Sequence, residues 1–343
     1  MKIVYAAGNR LGAGTQLYRF LEGAESNLTI KVAAYIKSSL LIDHIDWTLD
    51  ALHNKFSEKK KDVLSEIFDH QNVPNVGISE VELLINEIEE FNPDLIISDG
   101  EPITAHIAKS LNIRLWYCSP LHLLDGIIWE HGQMRYSFSL GKTKKVLSRL
   151  PEADKKFIYS PFGDIAMRPM LKPGYEWIRP YHYKMNDSIF KEGIAVIQDP
   201  KRISILSKLL NCTSFDITLV SQFHYQLSHL YSRNILDLKS YRKLLSDCSW
   251  FLTTGETDYL SDAIYNNISI CISPRMDDPE ALLNATLCSY YRIGTNVGQV
   301  ELMDKLALDE IENSFNKKSK KNMLDIQPKQ HLHEAIGKLC QNI

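Results

Sequence analysis

"FLTTGETDYLSDAIYNNISICISP" (251–274) holds the unit from which the fold can be read. An apolar run from Phe251 stops at Gly255, residues 257–266 read as a helix, and "ISICISP" (268–274) is a second β-rich run closed by a proline. Strand, tight turn, helix, strand is the grammar of a parallel sheet, because a parallel neighbour is reached only through a crossover. The turn at Gly255 opens onto a helix start, where unpaired amides and the helix dipole favour an anion such as phosphate. Thr257 and Asp258 stand at that start. Asp262 follows one to two turns on, placed to meet a ribose while phosphates rest on the amides. Glu256 and Asp258 oppose this reading, since both repel phosphate.

The same grammar recurs on either side. In the first half, "KIVYAAG" (2–8), "LTIKVAAYI" (28–36), "DLIISDG" (94–100) and "IRLWYCSP" (113–120) read as strands, with helices over 15–24, 79–91 and 102–111. The second half repeats it with "GIAVIQD" (193–199), "FDITLVSQ" (215–222), "WFLTTG" (250–255) and 268–274, and with helices near 200–210, 239–247, 257–266 and 278–289. Two doubly wound, Rossmann-like α/β domains follow, 1–185 and 186–343, with a ligand cleft between them. Residues 149–187 carry five prolines and little periodicity and read as the crossing segment.

At 343 residues the chain has room for two cores. Its net charge of -3 excludes a molecule that is basic throughout. The six cysteines form no CxxC pair and have no close histidine, so neither a metal site nor a disulfide framework is expected. "MKIVYAAG" is a strand, not a signal peptide, and no apolar run spans a bilayer, so the expected compartment is the cytoplasm. The run "NKKSKKN" (316–322) reads as a solvated turn.

Three connections carry chemistry. "AAGNRLGAGTQLYRFLEG" (6–23) places Gly8, Gly12 and Gly14 between a strand and a helix, as a tight turn or as a loop facing a ligand. It departs from the dinucleotide spacing, and "AAYIKS" ends in lysine where an NAD site wants an acid. In "DLIISDGEP", Asp99 and Glu101 lie just past the C-terminal end of a buried strand, where open α/β sheets place their chemistry. One of them is a candidate general base. The alternative is that Asp99 caps the next helix and Glu101 is solvated near its positive end. "SPRMDDPEALLNA" (273–285) returns to the same edge with Arg275, Asp277, Asp278 and Glu280, suited to phosphate and sugar hydroxyls or to a helix cap ahead of Pro279.

"TGETDYLSDAIYNNISICISPRMDDPEALLNATL" resembles the donor-site segment of GT-B glycosyltransferases of the MurG and macrolide or UDP-glucuronosyltransferase type. Gly255 and Thr257 match that family's turn, Asp262 its ribose-binding acid, and Asp277 or Asp278 the residue that holds the donor sugar ahead of Asn284. "GNRLGAG" matches its first glycine loop and "WIRPYHYK" (177–184) its inter-domain crossing, so the similarity covers most of the chain in order. The family's second glycine is here Glu256, its Gly-Val-Pro is Asn267-Ile268-Ser269, and "GAGTQ" lacks its histidine base, which moves the base to Asp99 or Glu101. "QDPKRIS" (198–204) replaces its glycine/serine loop, with Lys201 or Arg202 facing phosphate.

The resemblance implies transfer of a sugar from a nucleotide-diphosphate donor, UDP-linked, to an acceptor hydroxyl with inversion, and no metal or cofactor besides that co-substrate. A UDP-sugar 2-epimerase or an inactive nucleotide-sugar binder is the alternative. The Lys-, Ile-, Asn- and Tyr-rich vocabulary suits a low-GC bacterium or a large phage. The acceptors in view are a lipid or small molecule and hydroxymethylcytosine in phage DNA, the latter reached through the basic region 142–179.

Overall fold

The computed structural model describes residues 1–39, 42–50, 78–128, 138–163, 170–182, 192–196, 217–221, 231–234, 241, 245, 248–274, 278–296 and 330–341. The first sheet is built from β1 (Lys2–Ala6), β2 (Thr29–Ala34), β3 (Trp47–Thr48), β4 (Leu95–Ser98), β5 (Leu115–Ser119), β7 (Lys155–Tyr159) and β9 (Tyr175–Ile178). Its strands are all parallel, in the order β3-β2-β1-β4-β5-β7-β9. The short β6 (Ile127–Ile128) and β8 (Met170–Leu171) pair antiparallel beside it.

The second sheet comprises β10 (Glu192–Val196), β11 (Ile217–Ser221), β12 (Tyr231–Asn234), β13 (Cys248–Thr253), β14 (Ser269–Ile272) and β15 (Gly294–Asn296). It too is parallel throughout, in the order β12-β11-β10-β13-β14-β15. Both sheets therefore reverse strand order once, between β1 and β4 and between β10 and β13. A ligand crevice opens outside the carboxyl ends of the strands at such a switch point. This is the two-sheet parallel α/β architecture expected from the sequence.

Burial explains the strands. A parallel strand is covered on both faces and so reads as a continuous apolar run. In β1, Ile3 and Tyr5 enter one core layer while Val4 and Ala6 enter the opposite one, the alternation a pleated strand imposes. On the first face lies α1 (Leu11–Glu22), through Leu17 and Phe20. The other face is covered by α2 (Ile78–Phe91), through Val81, Leu84 and Ile88, and by α3 (Pro102–Ser110), through Ile103 and Ile107.

Several features were not expected from sequence, and three of them bear on the first sheet and the site. The helix expected to begin at residue 15 begins at Leu11, so Gly12 and Gly14 lie in its first turn and not in a loop. Gly14 belongs there because a Cβ would come within 2.6 Å of the Ser38 carbonyl oxygen. The proline-rich segment 149–187 supplies β7 and β9, with its prolines outside both strands. Finally, a helix at Leu332–Cys340 returns to the first sheet and buries Leu332, Ala335 and Ile336 in its core. A further apolar cluster joins Leu123, Leu140, Phe162 and Trp177 to Tyr241, Leu260 and Leu283, so that the two sheets share packing. Among the described residues no helix is long and apolar enough to cross a membrane.

Candidate functional site

Four segments come together at the carboxyl edge of the sheets: residues 7–10 after β1, 99–101 after β4, 254–256 after β13, and 278–280 at the start of the helix that follows β14. Close approach fixes the first two. At Gly8 a Cβ would sit 2.6 Å from the Asp99 carbonyl oxygen, so only glycine lets the loops meet. The third turns at Gly255, whose φ of 107° is open to glycine and strained for other residues. That turn delivers α4 (Thr257–Tyr265), whose start faces α5 (Pro279–Tyr291).

Arg10 lies at the centre. Its Nη2 donates to both Asp99 oxygens at 2.7 Å and to Gln16 Oε1 at 2.9 Å, and its Nη1 donates to Glu280 of the second sheet's α5. Glu280 Oε1 also accepts from the Thr257 backbone amide at 2.8 Å. Burial disfavours the charge on Arg10, but the carboxylates of Asp99 and Glu280 outweigh it and hold the guanidinium protonated. Asn284 donates to the Gly255 carbonyl at 2.7 Å and to Thr257 Oγ1 at 2.9 Å, tying α5 to the turn.

A second arginine crosses the same seam. Arg19 of α1 forms a bidentate pair with Asp262, at 3.0 and 2.6 Å, and donates to the Tyr181 carbonyl at 2.6 Å. Tyr241 donates a further bond to Asp262 at 3.0 Å. Asp258 accepts from Tyr159 at 2.6 Å, and Glu256 folds back onto the hydroxyls of Thr254 and Thr253. Burial pushes both Glu256 and Asp258 up to about 7. Around neutral pH the acids that flank the helix start thus hold protons part of the time, which relieves the repulsion expected from sequence.

The structure gives Asp99 and Glu101 different surroundings, and it reverses the capping alternative. Glu101, not Asp99, caps the following helix: its carboxylate accepts from Ile103 N at 2.8 Å, Thr104 N at 2.7 Å, Thr104 Oγ1 at 2.6 Å and Tyr35 Oη at 3.0 Å. It is fully buried, not solvated. Pro102 at the first helical position leaves those amides as the orphans to be satisfied, which is why an acid one residue earlier folds inward. Asp99 is 1% exposed and faces the second sheet through Arg10. Burial lifts it above the ordinary carboxylate range against the opposing pull of Arg10.

Of the other expected site residues, Gly12, Gly255, Glu256, Thr257, Asp258 and Asp262 all fall in this seam. Asp262, expected to meet a ribose, is 0% exposed and paired with Arg19. Asp278 caps α5 through Ala281 N at 3.2 Å. Arg202, Arg275 and Asp277 lie outside the described residues. Sequence reasoning counted Glu280 among the loop acids suited to phosphate and sugar hydroxyls, not as a partner of an arginine from the other sheet, and passed over Arg10 and Arg19. The available signal was spacing on α1: Gly12, Thr15 and Arg19 recur at helical intervals beside an otherwise apolar stripe. In the basic region, Lys142, Lys144, Lys145 and Arg149 are exposed on and just after the helix Phe138–Leu147. Lys155 pairs with Glu176 at 3.2 Å, and Arg179 donates to His331 at 2.9 Å.

No protein-family model matches the sequence, and comparison with curated proteins finds no match either. Solved structures do match over the whole chain. The spinosyn rhamnosyltransferase SpnG aligns at a TM-score of 0.63 and 9% identity, covering 100% of both chains. The spinosyn forosaminyltransferase SpnP aligns at 0.58 and 12%, covering 100% of this chain and 99% of that one. MurG of Acinetobacter baumannii aligns at 0.56 and 10%, again over 100% and 99%. At such identities the likeness establishes the fold. SpnG is also among the matches as a complex with thymidine diphosphate.

Proposed function

We propose that this chain is an inverting glycosyltransferase that moves a sugar from a nucleoside-diphosphate donor, UDP-linked, to an acceptor hydroxyl. One observation carries the reading: the switch-point loops of two parallel sheets converge on a single buried polar seam that holds an anion-ready helix start, two arginines and a carboxylate just past β4. The donor lies along the second sheet's edge, with its diphosphate at the start of α4 and with Arg202, Arg275, Asp277 and Asp278 as further donor contacts. Asp262 takes the ribose once Arg19 releases it. Asp99 is the base that removes the acceptor proton, because Glu101 is spent on its helix cap whereas Asp99 faces the seam. As the sugar–phosphate bond breaks, charge grows on the leaving diphosphate, and preorganised amide and guanidinium donors stabilise it. On this reading the protein acts in the cytoplasm and needs no metal, so a chelator leaves turnover unchanged.

For the acceptor, the exposed Lys142, Lys144, Lys145 and Arg149 favour a polyanion, and DNA carrying hydroxymethylcytosine is the form that offers a hydroxyl. The reading is tested by calorimetric titration with UDP, dTDP, GDP and NAD, then by assaying nucleotide release with and without duplex DNA containing hydroxymethylcytosine. Selective binding of a pyrimidine diphosphate, and release that requires acceptor, is the expected result. Donor isomerisation without acceptor would identify an epimerase, and binding without turnover an inactive binder. Absence of nucleotide binding overturns the proposal. Asp99→Asn is expected to abolish transfer while leaving UDP affinity in place.

A further inference from the structure

The anion-ready helix start already holds an anion, and the chain itself supplies it. The Glu280 carboxylate lies between the Thr257 amide, at 2.8 Å, and the Arg10 guanidinium, which comes from the other sheet. A helix-start amide and an arginine are the donor pair that binds phosphate oxygens. The glycine at position 12 keeps this place open: a Cβ there would come within 2.8 Å of both Arg10 Nη1 and Glu280 Oε2.

Two further atoms show donor capacity that internal groups leave unused. Arg10 Nε is buried and has no acceptor among the described residues. Thr15 Oγ1, on the same helix as Gly12 and fully buried, also has no partner. A buried donor left idle is costly unless some state of the protein satisfies it.

We propose that Arg10 is a phosphate-binding residue for the diphosphate of the nucleotide-sugar, and that Glu280 is an internal stand-in which that diphosphate displaces. The inference rests on the nucleotide-sugar reading above and adds to it a residue and a competitor. In the empty protein Glu280 bridges the Thr257 amide and Arg10, linking the two sheets. When donor binds, phosphate oxygens take both partners and the Glu280 carboxylate leaves, removing one negative charge from the seam as the diphosphate adds its own. The geometry also separates two ligand parts: Arg10 reads phosphate and makes no demand on the base or ribose.

The experiment is calorimetric titration of the full chain with UDP, uridine and inorganic pyrophosphate, for the parent protein and for Glu280→Gln, Arg10→Ala and Arg10→Lys. Arg10→Ala is expected to weaken UDP by about tenfold or more, the loss of a charge-assisted hydrogen bond, while uridine affinity stays constant. Arg10→Lys restores part of the loss. Glu280→Gln is expected to tighten pyrophosphate and UDP several-fold, and adding Arg10→Ala to it removes that gain. If UDP binds but neither substitution changes the UDP-to-uridine ratio, the inference is overturned and the nucleotide reading stands. If Glu280→Gln gains pyrophosphate binding while no form binds a nucleotide, the anion site stands and the nucleotide reading falls. If no form binds any of the three ligands, both fall. Should Arg10→Ala fail to fold, the pyrophosphate response of Glu280→Gln decides alone.

Discussion

At the scale of single residues, the seam is a set of buried acids whose neighbours set their protonation. Glu256 is held up to about 7, first by burial and then by the nearby Asp278 and Glu280, while the Thr254 hydroxyl pulls the other way. Its folded value lies above its value in an unfolded chain, so the folded protein binds the extra proton. This penalty is absent below about pH 4, grows as pH rises to about 7, and is constant beyond. Glu256→Gln is therefore expected to stabilise the protein at pH 8, with the advantage shrinking to nothing near pH 4; melting temperatures across that range check it. A difference between variant and parent that is flat with pH would mean Glu256 ionises normally. The strand through Thr253 and the turn at Gly255 are signalled in the sequence, but a carboxylate folded back onto the Thr253 and Thr254 hydroxyls does not show there.

At the scale of elements, the Arg19–Asp262 pair joins α1 to α4 across the two sheets, with side chains 1% and 0% exposed. Removing one member of a buried pair strands the other charge and costs about 3–5 kcal/mol, whereas replacing both with apolar groups costs much less. Asp262→Asn is thus expected to lower stability by about that amount in urea unfolding, and Arg19→Met with Asp262→Leu to recover most of it. Equal losses in the single and double variants would show that the pair is not the linkage. The eight strands β1, β2, β4, β5, β10, β11, β13 and β14 and the helices α2 to α5 were legible at this scale, because long apolar runs and the Pro102 and Pro279 starts are local signals, while the helices expected near 200–210 and 239–247 fall almost wholly outside the described residues. The start of α1 was not. Gly12 and Gly14 read as loop residues until Ser38 and Glu280 are seen against them.

At the scale of the whole molecule, the chain finishes on the sheet where it began. Ile336, 1% exposed, packs with Leu17, Phe20 and Trp116 of the first core although it follows every strand of the second. Ile336→Ala is expected to cost about 2–5 kcal/mol. By hydrogen exchange the loss should appear in β1 and β4, not in β13 and β14; a uniform loss over both sheets would show that the two unfold as one unit. Sequence alone determined the two-sheet parallel architecture, since a strand buried on both faces must be apolar along its length and a crossover must be a helix. It also located the seam, since chemistry in such sheets gathers at the carboxyl ends of strands. Only the tertiary structure decided which of Asp99 and Glu101 faces that seam, that Arg10 and Arg19 bridge it, and that Glu280 fills it. Those pairings join residues some 90 to 270 positions apart, and no local pattern of hydrophobicity, turn or cap encodes which distant charge a buried side chain will meet.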